Sequence, residues 1–244
     1  MRDCVILGCG RSGTSLAAGL VARAGYNCGE DLLPADEGGP MGFFEAREVN
    51  AINEALISAH DAELPTRGYS RPLSEGERWL AVFPETAEVV PTPELRQAMT
   101  VAIPPSPYCL KDPRFSYTLD AWRQQFDDAL FVCVFRHPEA TARSIAKEVR
   151  YGDLTVDMGR SLDIWKAAYR RILDRLLLHG DWLFLHYEQL LDGAGVERLG
   201  RALGVHLDPD FADPALQRSL PSGPVPPDCA ATYAELCALA GYPA

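Results

Sequence analysis

The sequence predicts an α/β fold of the P-loop type, three layers deep, with a central, mainly parallel sheet flanked by helices. Three observations carry that expectation. Val5, Ile6 and Leu7 form a short apolar run, a glycine-rich turn follows from Gly8 to Gly13, and Leu16, Leu20, Val21 and Ala24 then recur at helical spacing. The run Leu130, Phe131, Val132, Cys133, Val134, Phe135 is apolar throughout, as a strand covered on both faces requires. At 244 residues, the chain is long enough to cover both faces of such a sheet within one domain, residues 1–244.

Composition narrows the function. A formal net charge of −11 argues against a sequence-independent nucleic-acid binder, so an anionic ligand needs a local basic pocket. The 7 cysteines are odd in number and show no paired C-x-x-C spacing, which points to buried free thiols in a reducing compartment and to no metal site. No apolar run is long enough to span a bilayer, and the expected location is cytoplasmic, with no membrane partner.

In chain order, a helix begins near Thr14, and a turn with a short second strand is expected from Gly25 to Glu30. A Gly- and Pro-rich loop follows, and Phe43-Phe44-Glu45 opens a helix with Val49, Ile52 and Leu56 on one face. Residues 61–107 are punctuated by prolines and read as an excursion from the sheet, a lid or substrate insert whose Tyr69, Trp79 and Phe83 furnish an apolar wall. Within it only 85–102 has helical character, split by Pro91 and Pro93. Tyr108, Cys109 and Leu110 form a central strand. Asp112 before Pro113 reads as a helix cap. After the strand ending at Phe135 come helices over 140–149 and 161–178, a last strand over 182–187, and helices over 196–203 and 229–240.

The glycine loop is an anion-binding design, because backbone N–H groups and a helix N-terminus converge on one oxyanion. Gly8 and Gly13 keep the Walker A spacing, but Thr14 stands where that motif has lysine, and the cation comes early, as Arg11. That suits a single phosphate with a reactive group beside it better than a nucleoside triphosphate. Lys111, one of only three lysines, ends a strand where ligands of parallel sheets bind. Arg136 ends the next strand, and Ser144 lies about 9–10 Å further along the following helix by helical rise. A guanidinium and a hydroxyl so placed make a monophosphate clamp.

Four blocks in order, Gly8 to Ser15, Lys111 to Arg114, Arg136 to Ser144 and Tyr187 to Leu191, resemble those of sulfotransferases that use 3′-phosphoadenosine 5′-phosphosulfate (PAPS), from near the start to about residue 205. The Arg-Ser-Gly-Thr loop, the Lys-Asp-Pro strand end and the Tyr-Glu-Gln-Leu block are most similar to tyrosylprotein sulfotransferases and related bacterial enzymes. The resemblance implies metal-free sulfuryl transfer from PAPS, leaving 3′,5′-adenosine bisphosphate (PAP). It implies cofactor contacts at Gly8, Gly10, Arg11, Ser12, Gly13, Thr14, Ser15, Arg136, Ser144 and Tyr187, with Arg11 and Lys111 on the leaving group. A glutamate base is implied too. Glu45 sits in a Gly-aromatic-aromatic-Glu setting, and Glu30 follows Cys28-Gly29 as in the tyrosylprotein enzymes. Glu45 is preferred, because Phe43 and Phe44 desolvate it, and His60 is a distant third. The late Gly-x-x-Gly-Asp-Trp-Lys segment is absent, and Glu148 replaces a further arginine, with Lys147, Arg150 and Arg218 as substitutes. The acceptor is a small molecule or glycan carrying a hydroxyl or amine. The alternatives are a P-loop kinase or hydrolase and a nucleotide-binding protein without catalysis. Abundant Arg, Ala, Gly and Pro resemble a bacterial coding source.

Overall fold

The computed structural model describes residues 1–36, 39–148, 154–213, 220–221 and 223–243. Four strands, β1 (Cys4–Leu7), β2 (Cys109–Lys111), β3 (Leu130–Phe135) and β4 (Asp181–His186), form a parallel sheet in the order β2-β1-β3-β4. Between them and after them the described residues form α1 (Thr14–Arg23), α2 (Arg47–Ser58), α3 (Pro93–Ala102), α4 (Phe115–Trp122), α5 (Pro138–Glu148), α6 (Met158–Asp174), α7 (Tyr187–Leu191), α8 (Ala194–Leu203) and α9 (Pro227–Ala240).

β1 and β3 are apolar on both faces because both of their faces are covered. Successive side chains alternate sides. Val5, Leu7, Leu110, Phe131, Cys133 and Phe135 enter one core with α2, α4, α6 and α9. Cys4, Ile6, Cys109, Leu130, Val132 and Val134 enter the other with α1 and α8. All seven cysteines are free and buried. The chain runs from β1 to β2 on one side and then returns across β1 to β3 on the other. The order therefore reverses at the carboxyl end of β1, and such a reversal opens a crevice between loops diverging to opposite faces.

Several local expectations change. The strand expected near residue 27 is a single bridge, Asn27 to Tyr108. The helix expected to open at Phe43 starts at Arg47, because Phe44 takes a left-handed φ of 56° and Ala46 is extended. Residues 85–102 yield only α3, with Thr92 accepting the Leu95 N–H at 3.3 Å and Pro93 in the first turn. Asp112 does accept a backbone N–H, that of Arg114 at 2.8 Å, but α4 begins at Phe115. The helix expected over 161–178 begins earlier, at Met158 behind the Asp157 cap, and stops at Asp174. Tyr187 opens α7 instead of closing the last strand. Residues 61–107 are not merely a surface excursion: Leu80, Ala81, Phe83, Ala87, Val89 and Met99 are all core residues.

Candidate functional site

The loop after β1 is shaped by what presses on it. A Cβ at Gly8 would sit 2.2 Å from the Val134 carbonyl oxygen, so only glycine lets the loop lie this close to β3. Gly13, at φ 95°, caps α1, and the Tyr187 ring occupies the space a Cβ would need. Arg11 is a non-glycine residue at φ 70°. Its Nε donates to Ser144 Oγ at 3.3 Å, which ties the loop to α5. Behind the loop, Ser12 is buried, with its Oγ 3.4 Å from Thr141 Oγ1. The first-turn N–H groups of α1 are left for a ligand, and the helix dipole favours an anion there.

These pieces open on a cavity of about 500 Å³. One end is lined by Gly10, Arg11, Gly13, Thr14, Ser15, Arg136, Ser144 and Tyr187. Arg136 leaves the end of β3 with its guanidinium 4.6 Å from the centre of the Tyr187 ring. Burial lowers its pKa below the ordinary arginine value and the nearby Arg11 charge adds to this, against the opposing pull of Tyr187 and Glu188. A half-desolvated arginine beside a second cation gains by receiving an anion.

At the other end Leu33, Phe43, Trp79, Leu80, Pro113 and Leu154 contribute apolar surface, with Asp36 and Glu77 beside them. Trp79 also lies against the loop, its ring filling the space beside Gly10. Glu77 is already engaged: it forms a two-pronged ion pair with Arg71, at 2.7 and 2.8 Å, and accepts from Ser74. These partners hold its pKa at about 2, the Arg71 bonds contributing most, against the opposing effect of burial.

Between the two ends stand Glu45 and Lys111, 5% and 3% exposed. Lys111 donates to Glu45 Oε1 and, at 3.1 Å, to Ser15 Oγ at the N-terminus of α1. The register that pairs Ile6 with Lys111 carries this ammonium to the loop. Glu45 Oε2 accepts from Asn50 Nδ2 at 3.1 Å. Behind it, Asp112 is fully buried and accepts from Asn50, Asn53 and Arg114. Arg114 continues to Glu54, and Glu54 to Arg78. Burial works against the Arg114 charge, but Asp112, Glu54 and Glu45 outweigh it and raise the pKa.

Most residues singled out in the sequence therefore meet in one cavity. Gly8 and Ser12 support the loop from behind without lining that cavity. Glu30 is exposed and does not line it. His60 packs edge-on against Phe83 and contacts Glu63. Of the three insert aromatics only Trp79 reaches the cavity; Phe83 packs on Tyr117, and Tyr69 bonds to the Leu80 carbonyl. Phe43 lines the cavity, but Phe44 turns away to Phe211. Arg150 and Arg218, and the side chain of Glu148, lie outside the described residues. Asn50 and Arg114 were not foreseen as site residues. The available signal was a pair of amides, Asn50 and Asn53, three residues apart beside a buried helical stripe.

A reversed parallel sheet with a cation-lined cavity over a helix N-terminus defines an α/β protein whose sheet edge suits an anionic group. Residues 4–209 match the model of the sulfotransferase family, and the chain belongs to that family; it is a sulfotransferase. The sulfotransferase domain of the Synechococcus PCC 7002 olefin synthase is similar in fold, at 19% identity, over 96% of this chain and 94% of that one, with a TM-score of 0.50. So is the sulfotransferase domain of the curacin biosynthetic pathway, at 15% identity, over 100% and 99% of the two chains, with a TM-score of 0.52. No curated protein sequence matches the chain. Among the described residues no helix is long and apolar enough to cross a membrane, and no group of His, Cys, Asp and Glu is placed to hold a metal ion.

Proposed function

We propose that the chain transfers a sulfuryl group from PAPS to the hydroxyl of a small, largely apolar acceptor. One observation carries the reading: the buried Glu45–Lys111 pair lines one cavity with an anion-suited loop and a set of apolar side chains, and Lys111 bonds Ser15 at the start of α1. The residues present fit the donor. Arg11, Thr14, Ser15 and the α1 N-terminus suit the 5′-phosphosulfate, and Arg136 with Ser144 suits the 3′-phosphate. When bound, PAPS supplies the sulfuryl group and its bisphosphate leaving group.

Glu45 takes the proton of the acceptor hydroxyl as its oxygen bonds to sulfur. The bond from sulfur to the bridging phosphate oxygen breaks in the same displacement. Lys111 and the α1 N–H groups offset the negative charge left on that oxygen. Lys111 touches both Glu45 and Ser15, so one ammonium links the proton acceptor to the leaving-group side. The insert residues Gly76, Glu77, Trp79 and Leu80, with Leu33 and Phe43, form the acceptor wall. Their apolar surface favours a phenol or an alcohol on an apolar body over a glycan.

Calorimetry tests the donor half. PAP is expected to bind without magnesium and more tightly than AMP, which lacks the 3′-phosphate. Arg136→Ala removes a charge-assisted contact of about 1.5–3 kcal/mol, so PAP affinity falls roughly ten- to a hundredfold while AMP is little changed. Equal affinities for PAP and AMP would overturn the clamp, and magnesium-dependent ATP binding would favour a kinase.

A further inference from the structure

We infer that Asn50 is a positioning residue for Glu45, and that Asn53, its neighbour on the same helix, is not. The inference rests on Glu45 being the base. Asn50 Nδ2 donates to two carboxylates at once, Glu45 Oε2 at 3.1 Å and Asp112 Oδ2 at 2.6 Å. Both hydrogens of the amide are thereby committed, and two carboxylate acceptors fix which end of the amide is nitrogen. Glu45 is held at both oxygens, Oε1 by Lys111 and Oε2 by Asn50. Rotation of the carboxyl would break one bond or the other in a buried setting, where an unpaired polar atom is costly.

The amide also separates two anions. It is a donor shared by the buried carboxylates of Glu45 and Asp112. The charged groups facing Glu45 are Lys111 and Arg114, from the end of β2 and the turn after it, with Asp112 behind Asn50. Asp36 and Glu77 line the same cavity from its loops. A donor to the charged form of a carboxylate favours that form, and a neighbouring anion disfavours it. Asn50 therefore aims the Glu45 carboxyl.

Asn53 supplies an internal control. It donates to the same Asp112 Oδ2, at 2.9 Å, and its own oxygen accepts from Thr118 and Trp122. Its amide bonds Asp112, Thr118 and Trp122, not Glu45. Loss of Asn53 removes three buried hydrogen bonds and leaves the Glu45 carboxyl held.

The test uses the full chain carrying isotope-labelled glutamate carboxyls, with Glu45→Gln identifying the Glu45 resonance in NMR spectra. Asn50→Ala is expected to displace that resonance while PAP affinity, read by calorimetry, holds. Asn53→Ala is expected to lower the melting temperature at least as much and leave the resonance in place. With PAPS and 2-naphthol as probe acceptor, Asn50→Ala should lower kcat about tenfold with little change in the PAPS KM, and move the acid limb of the rate profile to higher pH. Asn50→Asp, nearly the same shape, should move that limb further, and it replaces Asn50→Ala if the latter does not fold. An unmoved Glu45 resonance in both Asn50 variants, or equal displacement in Asn53→Ala, overturns the inference. Full activity of Glu45→Gln would instead remove the base assignment and, with it, the meaning of the position. A dead Glu45→Gln beside unaffected Asn50 variants would leave the base standing and the positioning role refuted.

Discussion

The two ends of the cavity are made in different ways. At the donor end, the loop of residues 8–13 joins β1 to α1, Arg136 follows β3, Tyr187 follows β4 and Ser144 lies in α5. These residues are placed by the sheet and by the helices that follow its strands. At the acceptor end, Leu33, Asp36, Phe43, Gly76, Glu77 and Leu154 come from segments with no strand or α-helix, and Trp79 from a single tight turn. Side-chain bonds such as Arg71 to Glu77 hold that end in place. Substitution at the donor end disturbs backbone that the whole fold shares. At the acceptor end it disturbs a local clasp. On the proposed reading, the architecture fixes the donor and leaves the acceptor free to differ, as expected where a rigid scaffold carries loops.

The seam between the halves gives the largest expected effect. Glu45→Gln should lower turnover roughly a hundredfold or more and leave PAP binding within error. Glu30→Gln should change little, since that side chain is exposed and off the cavity. Turnover of both variants with PAPS and 2-naphthol decides between them. A dead Glu30→Gln beside an active Glu45→Gln would move the chemistry off the seam.

Trp79→Ala probes the boundary more gently. Its ring lies both on the glycine loop and in the acceptor wall. The KM for 2-naphthol should rise about three- to tenfold, the equivalent of about 0.5–1.5 kcal/mol of aromatic contact, with PAP affinity unchanged. If PAP affinity falls equally, the halves are not separable at this residue.

Acid should separate the two ends by window, with the smallest effects. His186, behind Arg136 and Tyr187, is buried, bonded to Tyr233 at 3.1 Å and stacked on Tyr242. Burial is the main cause that lowers its pKa from 6.5 to about 4. The unfolded chain therefore takes up a proton that the folded chain refuses, and stability falls as pH drops from about 6.5 to about 4. Glu77, held at about 2 instead of 4.5, contributes stability that is lost between those values as pH falls. Melting temperatures of Glu77→Gln and the parent should thus converge below pH 4.5, not above it. Convergence already near pH 6 would contradict the assignment.

The donor end was legible in the sequence because its determinants are local. The apolar runs at residues 5–7 and 130–135, the glycines at fixed offsets and the cations at strand ends each state a backbone requirement. The acceptor end was legible only as an irregular stretch. Trp79, Tyr69 and Phe83 look alike in sequence, yet only Trp79 faces the cavity, because the others find partners in Leu80 and Tyr117. The start of α2 was misplaced for a comparable reason. Its N-cap is Ala46, with no side-chain cap, and Phe44 adopts a conformation that few non-glycine residues do. Asn50 offers only its spacing from Asn53 as a signal. Its role depends on Asp112, which is 62 positions away.

The strand order also has a consequence for synthesis. Of the four described strands β1 is made first, yet it lies inside the sheet, and its partners begin at residues 109 and 130. Both edges of β1 therefore emerge from the ribosome with no strand to pair with, and an unpaired apolar edge is an invitation to aggregate. The nascent chain must keep four hidden-to-be residues, Cys4 to Leu7, soluble until residues 109 and 130 have been added. Slow, cool expression with a chaperone that shields short apolar segments suits such a chain better than rapid production.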